Sequence, residues 1–242
     1  MAHKIKKLPF RNFATGNLTG LIELREYKLF PHLALPFSNL VNNLNFSSLP
    51  LRSFTLPESG GILNMATHTY FYENHDHRMA QINAQSQRYI DVVGPYIQEA
   101  KSTLWVEAPL VKSFGLHSMQ SDVSPGNDSN SVIYEVRRYQ LKLGYSTVPQ
   151  FCDLYARGLP SKLTAPGSDP STSLITVIYT ETGSLNEVIE LWRHGRGNAA
   201  MNQSRQAARN ASEWRSSIAQ IAELAVSFTS TNHRPLPCSP WQ

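Results

Sequence analysis

Glu23, Arg25 and Tyr27 stand two residues apart, and Glu135, Arg137 and Tyr139 repeat the arrangement. Each set joins a carboxylate, a guanidinium and a phenol. At that spacing all three side chains leave the same face of an extended strand. A second pair of sets has matching parity: Asn64, His68 and Tyr70, and then Asn186, Glu190 and Trp192. Brought together, these residues build a polar pocket with paired acid and base and aromatic walls, suited to a small ligand. The same residues also suit a purely structural network, because a buried carboxylate needs a partner and Arg supplies one. Both readings stay open at this level.

Other groups carry weaker signals. His75-Asp76-His77 places an acid between two imidazoles, but no third ligand follows at metal-site spacing, and Asp76 reads more simply as a helix cap. No metal or cofactor is expected. Neither a Gly-x-Ser-x-Gly elbow nor a phosphate loop occurs. Cys152 sits among apolar residues and reads as core, whereas Cys238, after Pro237, reads as exposed. Arg205 and Arg209 lie four apart, which puts two cations on one helix face, a solvated face in the simpler reading and a phosphate or partner contact in the other.

The elements that must carry these groups come in two copies. Ile22 to Leu29 returns as Tyr134 to Leu141, with Glu, Arg, Tyr and Leu at matching places. A repeat about half a chain long means one module used twice. Each copy reads in the same order. After the first strand comes a helix, marked by Phe37, Leu40, Val41 and Leu44 in one copy and by Phe151, Leu154 and Tyr155 in the other. A hairpin follows, from Arg52 to Tyr70 and from Leu174 to Trp192. Next is a long polar helix, Asp76–Val93 in the first copy and Asn198–Val226 in the second, the latter broken near Asn210. Thr103–Ala108 closes the first copy, and a short strand within Ala225–Leu236 closes the second.

This order, β-α-β-β-α-β, predicts an α+β fold of two tandem ferredoxin-like modules. The modules span 20–117 and 131–242, joined by a polar linker at 118–130. Each sheet needs a cover for its open face, so the two are expected to pack face to face as an α+β barrel within one chain. If Leu24 and Val136 turn toward the helices, Glu23, Arg25, Tyr27, Glu135, Arg137 and Tyr139 face the barrel interior. A shift of one residue reverses that assignment.

The chain has 242 residues, 41% hydrophobic and 17% charged, an ordinary globular balance. Its net charge of +4 is spread out and partly local to the N-terminus, so nucleic acid is not an expected partner. Two cysteines make no disulfide framework, which fits a reducing compartment. No apolar run reaches the length of a membrane-spanning helix. Residues 1–19 are basic and free of acids. They read either as a short mitochondrial presequence, with Arg11-Asn12-Phe13-Ala14 like a matrix-protease cleavage pattern, or as a disordered basic tail.

Five stretches together resemble the NipSnap family. They are Glu-Leu-Arg-Glu-Tyr at 23–27, Tyr-Glu-Val-Arg-Arg-Tyr at 134–139, Thr-Glu-Thr-Gly-Ser-Leu-Asn at 180–186, Leu-Trp-Arg at 191–193, and the helix bearing Arg205, Arg209 and Trp214. The resemblance runs over about 13–237 in two copies, and the first copy is the more diverged, with Tyr70 where the family usually has Trp. It implies a dimeric α+β-barrel superfamily fold closed within one chain. It also implies a non-enzymatic, mitochondria-associated interaction protein, in the matrix or associated with the organelle, with the cytosol as second choice. Links to vesicular traffic and mitochondrial quality control, protein partners and homo-oligomers come with it. The alternative is a small-molecule binder or monooxygenase-like enzyme that uses the cavity between the modules.

Overall fold

In the computed structural model, residues 20–44, 49–122, 124–126 and 131–242 are described, with the backbone alone over 84–90. The basic stretch 1–19, expected to be a presequence or a tail, lies outside the described residues.

Strand β1 (Leu21–Leu29) leads through a 3-10 turn into helix α1 (Ala34–Val41), then strands β2 (Leu51–Ser59) and β3 (Met65–Tyr72). Helix α2 (His75–Val93) and strand β4 (Ile97–Glu107) complete this half, and a short α3 (Pro109–Ser113) follows. The second half holds β5 (Ile133–Leu141), α4 (Thr147–Leu163), β6 (Thr172–Thr182), β7 (Glu187–His194), α5 (Gly197–Ala208), α6 (Ser212–Leu224) and β8 (Ala225–Pro235).

The apolar spacing explains the helices. Phe37 and Val41 are the buried pair of α1, and Phe151, Cys152, Tyr155 and Leu159 form the buried stripe of α4. Each such side chain, once buried, contributes about 1.5–3 kcal/mol. The expected break near Asn210 separates α5 from α6, where Ala211 takes an extended conformation. The cap expected of Asp76 is made instead by Asn74, whose Oδ1 accepts the His77 amide at 2.8 Å. Strand β8 is long rather than short, because it pairs with β5 from Ala225 to His233 and with β2 at its far end.

The strands close into one barrel in the order β1-β3-β2-β8-β5-β7-β6-β4. Every pairing is antiparallel. The halves meet edge to edge, Thr55–Ser59 against Asn232–Pro235 and Leu104–Glu107 against Ile178–Thr182. The expected face-to-face pair of sheets is therefore a continuous barrel. Closure pairs the polar edges that two separate sheets would leave open.

Three apolar clusters hold this arrangement. One packs α4 and α6 on the second half's strands, around Phe151, Tyr155, Trp192 and Trp214. Another packs α1 on the first half's strands, around Phe37, Phe54, Tyr70 and Tyr72. The third plugs one end of the barrel with Ile22, Trp105, Met119, Tyr134 and Trp241. Met119, in the stretch read as a polar linker, is 1% exposed. Its carbonyl accepts Arg52 Nε at 2.9 Å, and its amide donates to Glu107 Oε1 at 2.6 Å.

Candidate functional site

The repeated phrase faces opposite to the sequence expectation. Leu24, Glu26 and Lys28 line the barrel interior, as do Val136 and Arg138. Glu23, Arg25 and Tyr27 point outward under the helices, and so do Glu135, Arg137 and Tyr139. The one-residue parity of a strand reverses the whole set.

Outside the barrel, the predicted residues form two networks. In the first half, Glu23 accepts Arg25 Nε at 2.9 Å, Arg78 Nε at 3.0 Å from α2, and Ser102 Oγ at 2.6 Å from β4. Burial alone would raise its pKa, but the hydrogen bonds from Arg78 and Arg25 outweigh it and hold the carboxyl at about 2. His68 is fully buried between Tyr27 and Phe54, with Nδ1 hydrogen-bonded to the Tyr70 hydroxyl at 2.8 Å. Burial, helped by Arg25, keeps its pKa well below the ordinary imidazole value.

In the second half, Glu135 accepts Arg137 Nε at 2.6 Å, Arg205 Nη2 at 2.5 Å, Ser230 Oγ at 2.8 Å and His194 Nε2 at 3.1 Å. Burial pushes its pKa up, but these donors win and hold it well below the carboxylate range. Glu190 accepts the Tyr139 hydroxyl at 2.5 Å, the Tyr155 hydroxyl at 2.8 Å and Trp192 Nε1 at 2.6 Å. Lys162 Nζ stands over the Trp192 ring at 3.6 Å and over the Trp214 ring at 4.4 Å. In both networks every carboxylate oxygen is taken by the protein's own donors.

Asn64 and Asn186 are not on the strand face at all. Each sits in the turn before β3 or β7 and ties it back to the chain. Asn64 Nδ2 donates to the Leu29 carbonyl, and Asn186 Nδ2 donates to the Lys142 carbonyl at 2.8 Å. Arg205, read as half of a solvated face, is a member of the Glu135 network, while Arg209 is exposed. Cys152 is core, and burial raises its thiol to about 12. Cys238 is half-buried against the first-half cluster rather than exposed.

The barrel interior is hollow. A cavity of about 410 Å³ runs along it. Leu24, Val136, Ile178, Ile189 and Leu191 supply apolar wall, and Thr55, Thr67, Thr69, Thr176, Thr229 and Thr231 supply hydroxyls. Gly60, Gly61, Ile62 and Glu99 are exposed and mark the open end, while Met119 and Tyr134 are buried at the closed end. Glu26 lies inside, 3.1 Å from Arg138 Nη2 and 3.9 Å from Lys101 Nζ. His233 is held on both ring nitrogens, by Thr55 Oγ1 and Thr231 Oγ1 at 3.0 Å each. Burial, with Arg138 nearby, lowers its pKa to about 4, so this ring is neutral at pH 7. None of these interior residues was among the sequence candidates. Their signal was present in the repeat, where Glu26 and Arg138 occupy equivalent positions with opposite charge.

Among the described residues, no group of His, Cys, Asp or Glu could hold a metal ion. The cavity can bind and orient a small molecule through threonine hydroxyls and the cations Lys101 and Arg138.

A closed antiparallel barrel with helices outside and a chamber inside defines an α+β-barrel protein. The second half carries a family signature: residues 134–240 match the NIPSNAP family model. No curated protein matches the chain in sequence. A candidate monooxygenase from Fusobacterium nucleatum shares the fold, with a TM-score of 0.63 and 10% identity over 90% of this chain and 93% of its own. A candidate monooxygenase from Lactobacillus acidophilus gives a TM-score of 0.57 at 8% identity over 90% and 94%. A NipSnap family protein of unknown function from Agrobacterium tumefaciens is 20% identical over 48% of this chain and 98% of its own, with a TM-score of 0.41.

Proposed function

We propose that this chain is a small-molecule-binding protein of the NipSnap type, with the ligand held inside the barrel. The observation that carries this reading is the 410 Å³ cavity, which falls within the size range of small-ligand sites. Binding without chemistry is favoured, because His233 already uses both ring nitrogens and Glu26 is paired with cations. In this reading each half is a ferredoxin-like module, the first a diverged copy of the second. The expected role in mitochondria, with protein partners in vesicular traffic and organelle quality control, rests on the family resemblance. A reporter fused to residues 1–30 tests the location: mitochondrial signal supports it and diffuse cytosolic signal removes it.

Native mass spectrometry of protein purified from its own cells tests the binding. A bound mass is expected on the wild-type chain and absent from Val136→Trp, which fills the chamber. A wild-type chain carrying no ligand, or a Val136→Trp chain that retains it, contradicts the proposal. Likeness to two candidate monooxygenases supports a second reading, oxidation of a small molecule in the same chamber. Oxygen uptake that depends on both the protein and its extracted ligand would favour it.

A further inference from the structure

We propose that the molecule held in the chamber is an amphipathic carboxylate, its head on Arg138 and Lys101 and its tail along the apolar wall. This rests on the binding reading above and narrows it to one ligand chemistry.

The charges inside the barrel do not balance. Lys28, Lys101 and Arg138 line the cavity against Glu26 and Glu99, which leaves one positive charge in surplus. Arg138 and Lys101 share the single Glu26 carboxylate, at 3.1 Å and 3.9 Å. A guanidinium carries five N–H donors in a planar fork that matches a carboxylate two bonds at a time. Arg138 spends one nitrogen, Nη2, on Glu26. Its side chain is 23% exposed and borders the cavity, so the fork is available to a ligand. Lys101, 48% exposed, adds a second point charge beside it.

The rest of the chamber suits a tail. Leu24, Val136, Ile178, Ile189 and Leu191 face one another across the interior from β1, β5, β6 and β7. The volume would hold roughly a dozen waters at about 30 Å³ each, so a chain or ring of comparable size gains by displacing them. An uncharged ligand would leave the surplus cation without an added partner. A cationic ligand would add to that surplus.

Glu26 gives the proposal its sharpest consequence. It competes with the incoming carboxylate for Arg138. Neutralising it should therefore tighten binding of an anion, whereas removing one side of a merely structural ion pair would not.

Three probes with one tail and different heads test this: decanoate, 1-decanol and decylamine, measured by displacement of a fluorescent dye from the full-length protein. Decanoate should bind about tenfold tighter than decanol, as expected for one charge-assisted bidentate pair. Arg138→Gln should abolish that preference while leaving decanol unchanged. Glu26→Gln should tighten decanoate several-fold by the same logic and leave decanol unchanged. Equal binding of decanoate and decanol by the wild-type protein, or weaker decanoate binding in Glu26→Gln, overturns the assignment. Decanol binding without decanoate binding sinks this inference alone. No saturable binding by any probe, together with no ligand in native mass spectra, sinks the binding reading itself.

Discussion

At the scale of single residues, the outer networks set how the protein responds to pH. Lys162 is the most exposed to this effect. Burial first, and Arg137 second, lower its pKa to about 7 against the pull of Glu190 and Glu135. The folded state thus binds fewer protons than the unfolded state between pH 7 and the ordinary lysine value of 10.5, and stability rises with pH across that window. Relative to Lys162→Met, the wild-type protein should gain about 2 kcal/mol between pH 6.5 and 8.5, read from urea midpoints. Parallel slopes for the two proteins would show that Lys162 titrates normally. Glu23 works the other way. Its folded pKa of about 2 lies below the ordinary 4.5, so its contribution is complete above pH 4.5 and lost as pH falls toward 2. Acid titration of Glu23→Gln should show a shallower loss over that window than wild type. The sequence displayed these residues clearly, and their two-residue spacing placed each set on one face. It did not say which face, because Leu24 and Val136 fit an apolar barrel wall as well as a helix-covered surface. Arg205 was legible only as charge; its contact with Glu135 depends on where α5 comes to lie in the folded chain.

At the scale of elements, α4 and α6 meet so closely that a glycine is required. A Cβ on Gly158 would stand 2.7 Å from Ser217 Cβ and 3.2 Å from the Trp214 backbone. Gly158→Ala should destabilise the protein by about 1–2 kcal/mol in urea unfolding, since overpacking outweighs the gain in helix propensity. An unchanged or raised midpoint would mean that the two helices separate without cost. Most elements were readable from periodicity, including the break between α5 and α6. The length of β8 was not. Val226 and Phe228 stand two apart, but the apolar spacing of the preceding helix runs on into Ala225 and Val226, and it is pairing with β5 that makes the stretch a strand. Asn64 and Asn186 also escaped a sequence reading, because their side chains hold turns rather than face a sheet. The Asn186 backbone, at φ 61°, tolerates a conformation that few residues other than glycine accept.

At the scale of the whole molecule, the chain closes on itself. Glu26 of β1 and Arg138 of β5 hold matching places in the two similar strand phrases and meet at 3.1 Å across the interior. With identical residues there, like charges would face each other. The opposite charges favour joining the two unlike halves over joining two copies of the same half. Barrel closure within one chain was legible from the recurring strand phrase. The hollow centre was not, because whether facing walls touch depends on barrel radius and side-chain volume together. The chamber is the central claim, and thiol labelling tests it directly. In a Cys238→Ser background, Val136→Cys places a thiol on the chamber wall while Cys152 stays in the core. A small maleimide should reach Val136→Cys from the open end far faster than the protein unfolds, and the Val136→Cys rate should fall when the ligand is bound. Labelling of Val136→Cys only at the rate of global unfolding, matching that of Cys152, would mean a packed interior and would contradict the account.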